Sequence, residues 1–268
     1  MNDVAKKLTT PDIPDEIHYL WDELADFGAN RIDDAHAHLM KTLCGWLQAD
    51  NALWVGGVHI NGGALARNDL QRGWRGRAVR YLNITPEMQS KSRQAARTQD
   101  TDPGMTTVAL TEAAGRFRVY RLHDGFIDIK TFKCTEHYRV FYRETGISDR
   151  LWVVFPVNAD AESYFIFDRY RSRRRFSSKD AQLAASVLRG LKWLHRGVML
   201  SHGLLIANKP LSPVQRRLLS FLLTEKSERE IAQIMELTPA TVHTYITALY
   251  RVFGVKSRAS LMALWLRA

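Results

Sequence analysis

The sequence predicts an α/β domain with an antiparallel sheet flanked by helices over residues 1–206, followed by an all-α domain of four helices over residues 207–268. The first observation behind this is length, since 268 residues suffice for two domains. The second is that strand and helix patterns alternate up to about residue 205, whereas every later apolar pattern has a helical period. The third is the short segment IANKPLS between the two parts, in which Pro210 ends any continuous helix.

Helices are predicted where apolar residues recur at spacings of three and four. The first helical pattern runs from Ile13 to Gln48 and is interrupted near Gly28. Two shorter segments follow Pro86 and Pro103, since proline is favoured in the first turn of a helix. A single long helix is predicted from Ser178 to about Leu205, and its near-heptad leucines and valines suit either a second helix or the sheet.

Five strands are predicted from runs rich in β-branched and aromatic residues that are bounded by turn-forming residues. They cover residues 51–60, 74–82, 116–122, 151–157 and 162–170. The glycine-rich turn NGG follows the first strand, the helical segment CTEHYRVFYRET follows the third, and the turn NADA closes a hairpin between the last two.

This order of elements resembles GAF-like sensor domains, and a PAS-like sheet is the alternative. The resemblance implies that the first and last helices cover one face of the sheet and that a ligand-sized pocket lies on the other. Aromatic side chains concentrate in the sheet and the helices beside it, and pockets for small organic molecules are lined in this way. Strand aromatics also build ordinary cores. We predict ligand contacts at Trp54, Trp74, Tyr81 and Tyr138.

The last sixty residues carry four helix-start signals, in which a side-chain oxygen can accept from a free backbone N–H. They are Ser212 before Pro213, Ser227 with Glu230 three residues on, Thr238 before Pro239, and Ser257. The two central helices are short and joined by a tight turn. This is helix-turn-helix geometry, which places the second helix in the major groove of DNA.

The second of these helices is predicted from Pro239 to Phe253 and is amphipathic. Its apolar stripe consists of Val242, Ile246, Leu249 and Phe253. The opposite face carries Thr244, Thr247 and Arg251, flanked by His243 and Thr241. Short polar and basic side chains in this position can reach base edges or phosphates.

The segment resembles the DNA-binding domain of LuxR-type (GerE-type) bacterial transcription regulators. The matching positions are Leu211, Ser212, Arg216, Leu219, Glu230, Ile231, Ala232, Thr238, Thr241, Val242, Gly254, Val255, Ser257 and Arg258. The resemblance implies base contacts by His243, Thr244 and Thr247, and phosphate contacts by Arg251, Lys256 and Arg258. It also implies dimerisation through the last helix, for which Leu261, Leu264 and Trp265 are the candidates. Glu236 departs from the pattern, because glycine is common at that place in the turn.

The expected partners are double-stranded DNA, a second copy of the chain and an unidentified small molecule. Two alternatives stay open for the N-terminal domain. It could bind a protein and no small molecule, or it could be an acyl-homoserine-lactone-type quorum-sensing receptor. Trp74, Tyr81 and Asp102-Pro103 faintly resemble the Trp, Tyr and Asp-Pro series of that receptor family, although the spacing from Tyr81 to Asp102 is longer.

Composition agrees with a nucleic-acid partner. The net charge is +10, and the segment from Lys209 onward holds nine lysines or arginines against four glutamates. No apolar run reaches the ~20 residues needed to span a bilayer, and the N-terminus lacks the apolar core of a signal peptide, so a cytoplasmic location is predicted. With two cysteines and no CxxC spacing, no disulfide is expected.

Catalysis and metal binding are not expected. No Ser–His–Asp arrangement, P-loop or GxGxxG motif occurs, so we predict neither an enzyme nor a cofactor. His36 and His38 point to different sides of a helix and are assigned, with Asp33 and Asp34, to its polar face. His195 and His202 lie about two helical turns apart, too far for one ion.

Overall fold

The computed structural model describes residues 15–60, 69–172, 174–206 and 210–266. Its centre is a five-stranded antiparallel sheet with the order β2-β1-β5-β4-β3. The strands are β1 (Asn51–His59), β2 (Trp74–Tyr81), β3 (Arg118–Arg121), β4 (Ile147–Asn158) and β5 (Ala161–Tyr170). All five predicted strands are confirmed, and β4 begins four residues before its predicted start. The predicted turn at 61–63 lies outside the described residues.

Four helices cover one face of the sheet and bury most of the apolar core there. They are α1 (Asp15–Ala25), α2 (Ile32–Leu47), α7 (Ser178–Arg189) and α8 (Lys192–Ser201). A 3₁₀ turn, Ala29–Arg31, separates α1 from α2, so the predicted interruption near Gly28 is confirmed. Alternate strand residues such as Trp54, Phe165 and Phe167 point into this layer and are fully buried.

The prediction of one long helix from Ser178 to Leu205 is wrong, because the segment forms two helices, α7 and α8, with a break between them. Leu191 has φ −98° and ψ 41°, outside the helical region. At Gly190 a Cβ atom would lie 2.4 Å from Cζ2 of Trp21, so the backbone approaches that ring more closely than another residue would allow. The apolar stripe of both helices is buried against the sheet and also against α2, so it covers the sheet and contacts a second helix.

His36 was assigned to a polar helix face, and this is also wrong, because its side chain is fully buried. The ring packs edge-on against Trp54 and Phe165, with 5.3 Å between centroids in each pair. His195 and His202 are buried in the same layer. Burial lowers the pKa of His195 and of His202 to about 4, and that of His36 well below its usual 6.5. This core therefore contains three imidazole side chains that are neutral at pH 7.

The opposite face of the sheet is covered by short helices from the middle of the chain. They are α3 (Pro86–Thr98), α4 (Met105–Glu112), α5 (Ile129–Lys133) and α6 (Glu136–Tyr138), which continues into a π-helical turn, Arg139–Arg143. A second apolar cluster forms here around Phe132, Tyr142 and Trp152. α3 has no buried residue, so this layer covers the sheet incompletely.

The C-terminal part is all-helical. Its helices are α9 (Pro213–Leu222), α10 (Glu228–Met235), α11 (Pro239–Phe253) and α12 (Arg258–Leu266). Ser212 and Ser227 form capping boxes, Thr238 caps α11, and Ser257 Oγ accepts from the N–H of Ser260 at 3.1 Å, so all four predicted helix starts are confirmed. No helix in the described ranges is long and apolar enough to cross a membrane.

The two parts touch through α9, which lies against the 3₁₀ turn and α2. Nη2 of Arg216 donates to both carboxylate oxygens of Asp33, each at 2.5 Å. The N–H of Leu211 donates to the carbonyl of His202 at 2.9 Å. The predicted boundary after residue 206 adjoins residues 207–209, which are not among those described.

Candidate nucleic-acid interface and ligand cavity

The polar face of α11 is free of packing. Val242, Ile246, Leu249 and Phe253 are buried in the domain core, as the periodicity predicts. Turned away from that core, His243, Thr244, Thr247 and Arg251 are exposed, and Thr241 is partly exposed. Lys256, in the loop after the helix, is exposed as well. One helix face thus presents hydroxyl, imidazole and guanidinium groups together.

The turn before α11 fixes the direction of that helix. Glu236 has φ 57° and ψ 41°, in the left-handed region, and its N–H donates to the carbonyls of Ala232 and Gln233. This is the strain expected for a non-glycine residue at this position. Thr238 then accepts from the N–H of Thr241 at 3.2 Å and starts α11.

His243 has an acidic neighbour. Its Nδ1 lies 3.2 Å from Oε2 of Glu228, which belongs to the first turn of α10. Both side chains are well exposed, so the pair contributes little to stability. Among the described residues, no hydrogen bond involves Nε2 of His243. Thr244 also keeps its hydroxyl near the backbone, donating to the carbonyl of Ala240 at 3.0 Å.

Arg258 is placed differently from the other predicted DNA contacts, because its guanidinium is occupied within the domain. Nε donates to Leu222 at 2.8 Å, and Nη1 to Lys226 at 2.5 Å, in each case to the carbonyl oxygen. Nη2 donates to the carbonyls of Phe221 and Thr224. These contacts satisfy carbonyls at and beyond the C-terminal end of α9. The structure therefore gives Arg258 an internal bonding role, whereas the resemblance implies a phosphate contact.

A cavity of about 270 Å³ lies between the sheet and the layer formed by α3, α4 and the π-helical turn. Its floor is the face of the sheet opposite the four-helix layer, with Leu53, Trp152, Tyr164 and Ile166. Helices α3 and α4 contribute mainly small side chains, among them Ala95. The size and largely apolar lining suit a small organic molecule.

Charged groups at the cavity are paired within the protein. Arg150 donates from Nε and Nη2 to the two oxygens of Asp168, at 2.5 and 2.8 Å. Lys91 forms an ion pair with Glu144. Burial lowers the pKa of His137 to about 4, so this ring is neutral at pH 7. Each of these ion pairs is neutral overall and the His137 ring is uncharged, so together they add no net charge to the cavity.

Arg75, a further cavity residue, is also paired. Its guanidinium lies 3.0 Å from Oδ1 of Asp69 and 2.5 Å from Oδ1 of Asp100. Asp102, which lines the same cavity, is exposed to solvent. Asp102 is not a member of these ion pairs, but its carboxylate is hydrated. The solvent therefore screens its charge.

Two of the four predicted ligand residues line the cavity, namely Trp74 and Tyr81. Trp54 does not, because successive strand residues point to opposite faces and Trp54 faces the four-helix layer. Its indole N–H donates to Ser163 Oγ at 2.8 Å, so it is a core residue. Tyr138 lies outside the lining too, and its ring stacks on Tyr142 with centroids 5.8 Å apart.

The sequence reasoning missed most of the cavity. Trp152 and the Arg150–Asp168 pair were not predicted, and neither was the contribution of α3 and α4. One signal was present, since Tyr164, Ile166 and Asp168 alternate along β5 and so share a face. Asp102 and Pro103, which were singled out beside Trp74 and Tyr81, line the same cavity.

Comparison with known proteins decides the identity of the C-terminal part. Residues 209–265 match the bacterial regulatory proteins of the luxR family. This segment is a LuxR-family helix-turn-helix domain. No curated protein sequence matches the chain significantly.

Solved structures resemble most of the chain. SdiA in complex with octanoyl-rac-glycerol, and SdiA of Escherichia coli in a second crystal structure, are each 14% identical with a TM-score of 0.45. Each alignment covers 93% of this chain and 94% of the other. The LBD domain of VqsR from Pseudomonas aeruginosa is 14% identical with a TM-score of 0.46, over 70% of this chain and 98% of its own.

Within the LuxR-type domain, the predicted dimerisation residues have different surroundings. The prediction that Leu261 makes a contact outside the domain is wrong, because this side chain is fully buried in the domain's own core. It lies on the inner side of α12, as a helix must bury one stripe to pack at all. Leu264 and Trp265 are partly exposed, and Trp265 contacts Phe253 with 5.7 Å between ring centroids. Met262 is exposed.

Proposed function

We propose that the chain is a transcription regulator that binds duplex DNA as a homodimer, with α11 in the major groove. The observation that carries this is the unpacked polar face of α11 in a LuxR-family domain. His243, Thr244 and Thr247 are assigned to base edges. Arg251 and Lys256 are assigned to phosphates, which position the protein on any sequence.

Dimerisation is proposed through the exposed side of α12, which carries Met262, Leu264 and Trp265. A two-fold dimer would set two recognition helices about 34 Å apart, the repeat of one turn of DNA, and so read a near-palindromic site. Sedimentation velocity on the full chain tests this. A dimer that becomes monomeric in Met262→Asp supports the assignment, and a monomer at all concentrations contradicts it.

DNA binding is tested by fluorescence anisotropy with a random-sequence 30-base-pair duplex over a range of salt concentrations. The affinity is expected to fall steeply with salt, since counterions are released from the phosphates. Arg251→Ala should weaken binding and make the salt slope shallower. The matched control is Arg77→Ala, an equal loss of charge at an exposed position on β2. Equal effects of both substitutions would argue against this role of α11.

For the N-terminal domain we propose that the cavity takes a small, uncharged molecule with an apolar body. Its volume, its aromatic floor and its paired charges support this. The same features count against the alternative in which the domain binds only a protein, because aromatic side chains of the chain itself would then fill the space. An acyl-homoserine lactone is an uncharged candidate, supported by Trp74, Tyr81 and Asp102 meeting at the cavity.

Calorimetric titration with octanamide, octanoate and octylammonium tests the charge of the ligand, since the three share one chain length. Binding of octanamide in preference to both ions is expected. Ala95→Trp places a large ring in the cavity and should abolish binding, whereas Ala159→Trp changes an exposed residue in the β4–β5 turn and should not. Equal binding by both variants would place the ligand elsewhere.

A further inference from the structure

One carboxylate, that of Asp33, lies between the cavity domain and the LuxR-type domain. Its Oδ1 is 3.2 Å from Nη1 of Arg80 on β2. Both of its oxygens are 2.5 Å from Nη2 of Arg216 on α9. Asp33 itself sits in the first turn of α2, beside the 3₁₀ turn on which α9 packs. Two guanidinium groups from different domains therefore share a single anionic partner.

On the cavity side, Arg80 belongs to the strand that forms one cavity wall. Its neighbours Val79 and Tyr81 both line the cavity, so Arg80 points to the other face of the sheet. Within the described residues, β2 is an edge strand that pairs with β1 alone. A strand held by one ladder is displaced more easily than a central one. Whatever shifts Val79 or Tyr81 must therefore also move the guanidinium of Arg80.

On the other side, Arg216 belongs to the first helix of the LuxR-type domain, and only 22% of its side chain is exposed. Asp33 and Arg80 are the charged groups that act on Arg216, and the ring of His202, on which Arg216 also acts, is buried and neutral at pH 7. Within the described ranges, Asp33 is the carboxylate that pairs with Arg216. Removing a partner from a poorly solvated cation is strongly unfavourable. The position of α9 on the N-terminal domain therefore depends on where the Asp33 carboxylate points.

We propose that Asp33 couples the cavity to the DNA-binding domain by dividing its carboxylate between Arg80 and Arg216. This rests on the proposed occupancy of the cavity by a ligand, which supplies the displacement of β2. When the Arg80–Asp33 contact becomes stronger, the Arg216–Asp33 ion pair becomes weaker. When the Arg80–Asp33 contact becomes weaker, the Arg216–Asp33 ion pair becomes stronger. Because the coupling is reciprocal, docking of α9 also changes the strength of the Arg80–Asp33 contact on β2.

The test is hydrogen–deuterium exchange on the full chain with no ligand added. Arg80→Gln removes the competing cation, so exchange in α9 should slow about threefold. Arg216→Gln should slow exchange in β2 by a similar factor, and Asp33→Asn should speed it in both elements. Asp34→Asn, next to Asp33 but paired with Arg31, and Arg77→Gln, on β2 and exposed, should change neither element.

Unchanged or faster exchange in α9 for Arg80→Gln, together with unchanged or faster exchange in β2 for Arg216→Gln, would overturn the coupling. The two arginine variants carry the test even if Asp33→Asn does not fold. Since no ligand is present, this result is independent of whether octanamide binds. A failure of the cavity proposal would appear in the titration, and a failure of the coupling would appear in the exchange.

Discussion

Nε of Arg258 donates to the carbonyl oxygen of Leu222 at 2.8 Å, and so joins the start of α12 to the end of α9. Further bonds from the same guanidinium reach the loop that leads to α10. Carbonyls at a helix end need partners, and one side chain here serves both a helix end and a loop. Arg258 thereby ties α12 to α9 and to the loop between α9 and α10.

The first prediction separates Arg258 from Lys256. Arg258→Ala should lower the free energy of unfolding by about 2 kcal/mol, because bonds to a charged donor are lost. It should leave the salt slope of DNA binding unchanged. Lys256→Ala should do the reverse, reducing the slope by about 1 with no loss of stability. Urea denaturation and anisotropy measure the two quantities. A shallower salt slope in Arg258→Ala would restore it as a phosphate contact.

A second prediction concerns the recognition face. Thr247→Ala should change the preference among DNA sequences, since a side chain facing base edges carries sequence information. Arg251→Ala should weaken binding to all sequences alike. Selection from a randomised duplex pool, followed by affinity measurements on selected and random duplexes, distinguishes the two. If both substitutions left both affinities unchanged, α11 would not be the DNA-contacting helix.

Acid should destabilise the N-terminal domain. The folded pKa of His195 and of His202 is about 4, below the ordinary 6.5, because burial disfavours the charged ring. Between these values the unfolded chain binds protons that the folded chain does not. Stability present above pH 6.5 is therefore lost as the pH falls towards 4, at about 1.4 kcal/mol per pH unit for each such ring.

His36 allows a matched test of this acid effect, because neither of its ring nitrogens has a hydrogen-bond partner in the described structure. His36→Leu should flatten the loss of stability between pH 6.5 and 5. At pH 7.5 it should change the free energy of unfolding by less than about 1.5 kcal/mol, as for other volume-conserving core changes. Urea titrations at several pH values give both results. An unaltered pH dependence in this variant would mean that His36 does not titrate on unfolding.

A fourth prediction uses the left-handed residue in the turn. Glu236→Gly should stabilise the LuxR-type domain by about 0.5–1 kcal/mol, since glycine escapes the steric cost of φ 57° but gains entropy in the unfolded chain. Gln233→Gly, inside α10, should instead destabilise by about 1 kcal/mol. Thermal denaturation of both variants measures the contrast. Destabilisation by Glu236→Gly would indicate that its side chain has a role beyond the turn.

The sequence predicted best what local chemistry decides. Helix α11 was predicted from Pro239 to Phe253 and occupies those residues, because its cap, its proline and its apolar stripe are all local to the segment. The strands were also predicted from local features, namely runs of β-branched and aromatic residues bounded by turn-forming residues. Glu236 could be singled out because the family resemblance has glycine common at that place, and the residue does adopt the left-handed conformation.

What depended on distant packing was predicted poorly. Trp54 was predicted as a ligand contact because alternation separates the two faces of a strand but does not show which face borders the cavity. That depends on which helices pack on each face, and Trp54 lies on the face covered by α1, α2, α7 and α8. The break at Gly190 depends on Trp21, far away in the chain. Leu261 was assigned to a dimer contact because the periodicity of α12 does not show which stripe the other three helices bury.

The break between α7 and α8 determines how force can pass through the molecule. A continuous helix running from the sheet to the DNA-binding domain would act as a stiff shaft, able to carry rotation from one end to the other. Because the helix is interrupted at Gly190, a rotation of α7 about its axis is not passed rigidly to α8. The connection between the two parts therefore includes side-to-side contacts such as Arg216–Asp33, which do not depend on an unbroken helix.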